Sequence, residues 1–310
     1  MLKRAFLFLL IFISPLTSAL GIEIERVALE AVESTSRSLK VSVVQYGIEP
    51  GIDFGAFSEK VEREVRLAKD SGAQLVVFPE LITLEIGRAE NQGGEAAHLR
   101  WIATEIAPRY RLNLAALAQK YEVSILGGST PRWTEEGQLV NSVYLETPGG
   151  QEVVQDKIFP TAWEARNGIV GGDTVKVIDS ALGAWVILIC YDVEFPMISN
   201  LLAKESPELI LVPSMTEGES GFSRVRWSAQ ARSVEHYAYT VVVGTVGGDS
   251  SWTNVGQGVF LTPHDTGWTG QIAEGIKGKT GQVFGELDFR KLCDRRATTK
   301  FYPARDQGGR

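Results

Sequence analysis

Two cysteines and three histidines in 310 residues leave little for a metal centre, and neither HExxH nor Cys-x-x-Cys occurs. The chain has no block of Lys and Arg that reads as a phosphate-binding stripe. With a net charge of −7 and a pI near 5.2, that sets generic nucleic-acid binding aside. No internal repeat and no low-complexity tract is present. Long apolar runs are missing too. The N-terminal one, Ala5 to Ile13, is nine residues long, against the roughly 20 that a spanning helix needs.

That short run is informative in its setting. Lys3 and Arg4 precede it, Ser14-Pro15 breaks it, and Thr17-Ser18-Ala19 supplies small residues where a peptidase cuts. This is the order of a secretory signal, so residues 1–19 are expected to direct export to the periplasm or beyond and to be removed. The alternative is an uncleaved anchor. After cleavage no segment is long enough to span a membrane. In an oxidising compartment Cys190 and Cys293 could pair, which is the plain reading of two thiols.

Residues 20–38 read as a short helical or extended lead-in. From Leu39 the pattern sharpens. Lys40–Gln45 is β-branched and short, a strand. Phe57, Val61, Val65 and Leu67 recur near helical spacing. Leu75–Phe78 reads as a buried strand, Leu112–Tyr121 as a helix, and Val123–Leu126 as a strand closed by Gly127-Gly128. Asn141–Leu145 and Glu152–Lys157 flank Thr147-Pro148-Gly149-Gly150, a hairpin signal. Val175–Ile178, Trp185–Cys190, Leu209–Val212 and Tyr239–Val243 read as strands, with helices at Met197–Lys204 and Ser223–Tyr237. Gln257–Leu261 and Val283–Phe289 suggest a late hairpin. Helices that alternate with strands, some strands following each other directly, predict an α/β domain with helices packed outside mixed sheets.

Three apolar runs end in reactive side chains: Leu75–Pro79 in Glu80, Val153–Asp156 in Lys157, and Trp185–Ile189 in Cys190. Each has a bland reading. Cys190 reads as a buried inert thiol, Glu80 as a solvated strand end, and Lys157 as an edge lysine that discourages strand pairing. Brought together they would supply a nucleophile, a proton carrier and an oxyanion stabiliser. The backbone N–H of Tyr191, following the thiol, could also face an oxyanion.

In order and spacing, Phe78-Pro79-Glu80, Asp156-Lys157-Ile158-Phe159-Pro160-Thr161-Ala162-Trp163-Glu164 and Ile189-Cys190-Tyr191-Asp192-Val193-Glu194-Phe195-Pro196 resemble the three motifs of the nitrilase, or carbon–nitrogen hydrolase, superfamily. Ala231–Tyr239 is similar to that family's helix-to-strand segment. The resemblance covers roughly 39–304, which it marks as one carbon–nitrogen hydrolase domain followed by a polar tail at 305–310. It implies an α-β-β-α sandwich paired into homodimers or higher oligomers. It implies a catalytic set of Glu80, Lys157 and Cys190 without metal or cofactor, Glu164 as a supporting residue, and a small amide as the partner molecule. Cys190-Tyr191-Asp192 resembles amidase branches, where true nitrilases tend to carry Cys-Trp-Glu. Amide hydrolysis is therefore expected, with nitrile hydrolysis or acyl transfer to an amine as alternatives. Val243-Gly244-Thr245-Val246-Gly247 departs from the family, where many members carry an Asn before the glycine.

Other residues carry less. His98, His236 and His264 read as solvent or core histidines. Glu235 reads as a salt-bridge residue, Cys293 as a surface thiol, and Trp163 as a pocket wall or core residue. Pocket walls are expected from loops at 81–107, 129–136, 161–172 and 214–222.

Overall fold

The computed structural model describes residues 21–29, 37–87, 93–249 and 252–307. The signal segment expected at 1–19 lies outside them. In chain order the strands are β1 (Glu23–Ala28), β2 (Ser38–Gln45), β3 (Gly47–Ile48), β4 (Leu75–Val77), β5 (Ser124–Trp133), β6 (Leu139–Glu146), β7 (Glu152–Asp156) and β8 (Thr174–Ser180). They continue with β9 (Gly183–Ile187), β10 (Leu209–Ser214), β11 (Tyr239–Gly244), β12 (Val246–Asp249), β13 (Trp252–Asn254), β14 (Val259–Asp265), β15 (Trp268–Glu274) and β16 (Gly281–Asp288). The helices are α1 (Phe54–Asp70), α2 (Gly94–Trp101), α3 (Ala107–Tyr121), α4 (Ala162–Arg166), α5 (Pro196–Leu202), α6 (Gly218–Glu235), α7 (Phe289–Thr298) and α8 (Pro303–Gln307).

Two large sheets form, one of six strands in the order β16-β2-β4-β5-β6-β7 and one of seven in the order β1-β8-β9-β10-β11-β14-β15. β1 takes the lead-in residues into the seven-stranded sheet as an edge strand parallel to β8. In β4 successive side chains point to opposite faces. Leu75 and Val77 join Val41, Val43 and Leu126 in a core shared with Val177, Val186 and Leu211 of the other sheet. Val76 and Phe78 turn the other way, onto Phe57, Val61 and Val65 of α1 and Tyr110 and Leu114 of α3. On the far side Ile198 and Leu202 of α5 and Val225 and Ala229 of α6 close over the seven-stranded sheet. The layers are therefore α-β-β-α, as the resemblance implies. Strands buried on both faces leave unbroken apolar runs, which is why Leu75–Phe78 and Trp185–Ile189 stand out in the sequence.

Three expectations need correction. β5 does not close at Gly127-Gly128 but continues to Trp133 through a register shift between Leu126 and Ser129. The glycines serve close approach: a side chain at Gly128, where φ is +72°, would meet the Pro79 carbonyl at 2.0 Å. The late hairpin joins β14 to β15, while β16 crosses to the other sheet and pairs antiparallel with β2. β15 exposes Thr269 and Gln271 in alternation with buried Trp268 and Gly270, a polar pattern that reads like a loop. On α1 the buried position belongs to Ala68, one residue beyond the half-exposed Leu67, because the stripe advances Phe57, Val61, Val65, Ala68.

Candidate active site

Glu80 follows β4 at the edge where the Gly128 bulge lets the chain approach. Phe78 N–H donates to the Leu126 carbonyl at 2.8 Å, and Leu81 N–H donates to Ser129 Oγ at 3.0 Å, so β5 holds both sides of the carboxylate. Leu81 itself adopts φ +53°. Lys157 leaves β7 with its N–H donating to the Asn141 carbonyl on β6 at 2.8 Å. Glu164 sits in the first turn of α4. There Thr161 N–H donates to Glu164 Oε2 at 2.7 Å and Glu164 N–H donates to Thr161 Oγ1 at 3.3 Å, a reciprocal cap.

These elements bring the charged groups together. Lys157 Nζ lies 2.8 Å from Glu80 Oε1 and 2.7 Å from Glu164 Oε2. Asn141 Nδ2 donates to Glu80 Oε1 at 3.0 Å and to Glu164 Oε1 at 2.8 Å. The Met215 N–H donates to Glu80 Oε2 at 2.9 Å.

Cys190 does not end a strand. β9 stops at Ile187, and Cys190 opens a 3-10 turn, Cys190–Glu194, with its backbone in the left-handed region at φ +49°. Such a conformation strains a residue that has a Cβ, and here it turns the thiol toward Met215. The thiol donates to the Met215 carbonyl at 3.7 Å, and the Met215 N–H is the donor to Glu80 Oε2, so one residue links the sulfur to the carboxylate. Asp192 closes the turn from within. Its carboxylate accepts Ile189 N–H at 3.2 Å, Phe159 N–H at 2.8 Å and Ile158 N–H at 3.2 Å. One buried carboxylate thus ties the segment after Lys157 to the segment around Cys190.

Burial sets the charges. It pushes the Cys190 thiol well above its ordinary range, and the Glu80 carboxylate adds to this while Lys157 opposes it. Glu80 is raised by burial and by Glu164, against the pull of Lys157. Burial alone would lower Lys157 and raise Glu164. Their mutual attraction, with Glu80 acting on the lysine, holds Lys157 above and Glu164 below the ordinary values. Burial lifts Asp192 to about 7. The resting site therefore holds a protonated thiol, an ammonium and an ionised Glu164.

The cluster forms the floor of a cleft of about 1100 Å³. Of the expected wall loops, 81–107, 161–172 and 214–222 contribute Leu84, Trp163 and Thr216 among others. The segment 129–136 does not line it, because residues 129–133 belong to β5. Pro50–Asp53 and Trp252 do, from positions that carry no signal in the sequence. Trp163 stands on the wall with Nε1 donating to Glu95 Oε2 at 2.8 Å, and Tyr191 lies nearby, edge-on to Phe195. His98 also lines the cleft, its Nε2 2.9 Å from the Ile86 carbonyl. His236 is buried away from the cleft, 2.8 Å from Ser199 Oγ, and Glu235 pairs with Arg232 at 2.7 Å. Both cysteines are free thiols, Cys190 buried and Cys293 exposed. Among the described residues no group of His, Cys, Asp and Glu could hold a metal ion, and no helix is long and apolar enough to cross a membrane.

Comparison with known proteins agrees with this fold. The family model "Carbon-nitrogen hydrolase" matches residues 40–269. The probable hydrolase YhcX of Bacillus subtilis is 33% identical over 264 residues, 82% of this chain, which spans half the length of that relative. The deaminated glutathione amidase of Synechocystis is 29% identical over 61% of this chain and 71% of its own. The solved amidase of Nesterenkonia sp. AN1 superposes with a TM-score of 0.67 at 22% identity, over 84% of this chain and 97% of that one.

Proposed function

This chain belongs to the carbon–nitrogen hydrolase family, and on that premise we propose that it hydrolyses the C–N bond of a small amide through a thioester on Cys190. The observation that carries the reading is the meeting of three groups at the cleft floor. Glu80 is bonded to Lys157 at 2.8 Å through Oε1 and to the Met215 N–H at 2.9 Å through Oε2, and the Cys190 thiol reaches the carbonyl of the same Met215 at 3.7 Å.

A thiol held protonated needs a base at the moment of attack. Glu80, raised by burial, is a stronger base than an exposed carboxylate. The Cys190 sulfur attacks the amide carbonyl as its proton passes to Glu80. The carbonyl electrons move to oxygen, where Lys157 and the Tyr191 backbone N–H stabilise the oxyanion. The oxyanion collapses and expels the amine, which takes the proton from Glu80. Water then gives a proton to Glu80 and attacks the thioester, and the returning proton restores the thiol. Glu164 keeps Lys157 charged and in place. Every step is a proton transfer or acyl transfer that these side chains can supply.

Amides are favoured over nitriles by Asp192 after Tyr191 and by the amidase among the relatives. A cleft of about 1100 Å³ lies just above the roughly 300–1,000 Å³ of ordinary ligand sites, so Trp163 and Tyr191 have room to hold more than the amide group itself. The test is ammonia or amine release across short amides, ω-amides, carbamoyl amines and nitriles. Turnover of at least one amide class is expected, and turnover confined to nitriles would overturn the reading. Export rests on the order of residues 1–19. N-terminal sequencing of the enzyme recovered outside the cytoplasm should begin near residue 20, and enzyme retaining Met1 in the soluble cytoplasm would contradict export.

A further inference from the structure

We infer that Asn141 is a positioning residue that gives the two oxygens of Glu80 different tasks: Oε1 is the anchor, and Oε2 is the atom that takes the Cys190 proton. The inference rests on the amidase reading above and adds the route of the proton.

A carboxylate oxygen has about two lone-pair sites for hydrogen bonds. At Glu80 Oε1 both are taken, by Lys157 Nζ at 2.8 Å and Asn141 Nδ2 at 3.0 Å. At Oε2 one is taken, by the Met215 N–H at 2.9 Å. The open site is therefore on Oε2, on the side of Met215, whose carbonyl lies 3.7 Å from the Cys190 sulfur. As the S–C bond forms, the S–H bond breaks and its proton goes to that site. Oε1 keeps its two donors throughout, so the carboxylate cannot turn away.

The orientation of the Asn141 amide fits this role. The side chain is fully buried in the middle of β6, and its Oδ1 has no hydrogen-bond partner among the described residues. The reversed amide would set Oδ1 against Glu80 Oε1 and Glu164 Oε1 at 3.0 and 2.8 Å, oxygen on oxygen without a proton. An unpaired buried carbonyl is unfavourable, and two N–H bonds to carboxylates offset it. The same NH₂ group spans the two acids that flank Lys157. It fixes their separation, and with it the place of the ammonium.

The experiment compares Asn141→Ala and the isosteric Asn141→Asp with the unaltered enzyme. Two readouts are followed against pH: alkylation of Cys190 by iodoacetamide, and kcat and KM on the best amide. Removing a donor from a carboxylate raises its proton affinity. The acid limb of both profiles should move to higher pH. The value of kcat should fall about 100-fold, the scale of a misplaced catalytic group, with KM near the starting value. Acid limbs unchanged in both variants, with only thermal stability reduced, would overturn the inference. Alkylation reads thiol activation without assuming which C–N bond is cleaved. A shifted alkylation limb in an enzyme that cleaves no amide would therefore sink the amidase reading and support the role of Asn141. Should neither variant fold, the intact enzyme labelled with ¹⁵N-asparagine decides. One side-chain amide should be protected from exchange, and Glu80→Gln should move one of its two protons and Glu164→Gln the other. No such amide would overturn the inference.

Discussion

Lys157 Nζ lies 2.8 Å from Glu80 Oε1 and 2.7 Å from Glu164 Oε2, and all three side chains are at most 2% exposed. Two acids and one ammonium out of water are stable only as a unit, because each charge is solvated by the others. Replacing Lys157 with Ala leaves two carboxylates facing each other. The expected result is loss of amide hydrolysis together with a fall in stability of about 3–5 kcal/mol, the scale for breaking a buried ion pair. Urea unfolding and ammonia release measure the two effects. A variant as stable as the parent would show that the unit is not what holds this corner of the fold.

Activity should have an acid limb set by Glu80. Burial and Glu164 raise its proton affinity, so the base is lost as pH falls through a value above the ordinary carboxylate range. The sign is fixed: protonated Glu80 cannot accept the thiol proton, so kcat/KM falls on the acid side. Glu80→Gln should abolish turnover and erase the Glu80 limb from the pH profile of Cys190 alkylation. A profile flat down to the ordinary range of an exposed glutamate would contradict this.

Asp192 links the segment after Lys157 to the segment around Cys190. In Asp192→Asn one acceptor oxygen becomes an NH₂ facing the N–H groups of Ile158, Phe159 and Ile189, donor against donor. Each buried donor left unpaired costs about 1–3 kcal/mol. The variant should melt at lower temperature and lose kcat more than KM, because Lys157 and Cys190 lose their common tether. Unchanged kcat in a folded Asp192→Asn enzyme would refute the tether.

The thiols should stay separate. Cys190 is buried against Glu80 and Cys293 is exposed on α7. Mass spectrometry of unreduced, active enzyme should find both as free thiols. A Cys190–Cys293 bridge in active material would refute the role given to Cys190.

What the sequence exposed follows from burial. Glu80 and Lys157 end apolar runs because β4 and β7 carry them from inside the sheet to its edge, and Cys190 ends one too, two residues of irregular backbone beyond β9. Asn141 gave no such sign. It reads as the start of a hairpin strand, and its partner Glu80 is 61 residues away, so only the pairing of β5 with β6 brings them together. The Met215 N–H is a backbone group and leaves no trace in side-chain pattern. The pairing of β16 with β2 is not legible in the sequence, because alternation tells that a strand exists but not which edge it joins. Asp192 was legible as a mark of the amidase branch. Its work as a clasp was not, because it depends on backbone N–H groups more than thirty positions away.

The most direct test is amide hydrolysis by Cys190→Ala. This substitution removes only a sulfur from a buried side chain. At equal concentration, and with unfolding unchanged, the variant should release ammonia from the best amide at least about 10⁴-fold more slowly, as for removal of a covalent nucleophile. A rate within tenfold of the parent would contradict the thioester mechanism.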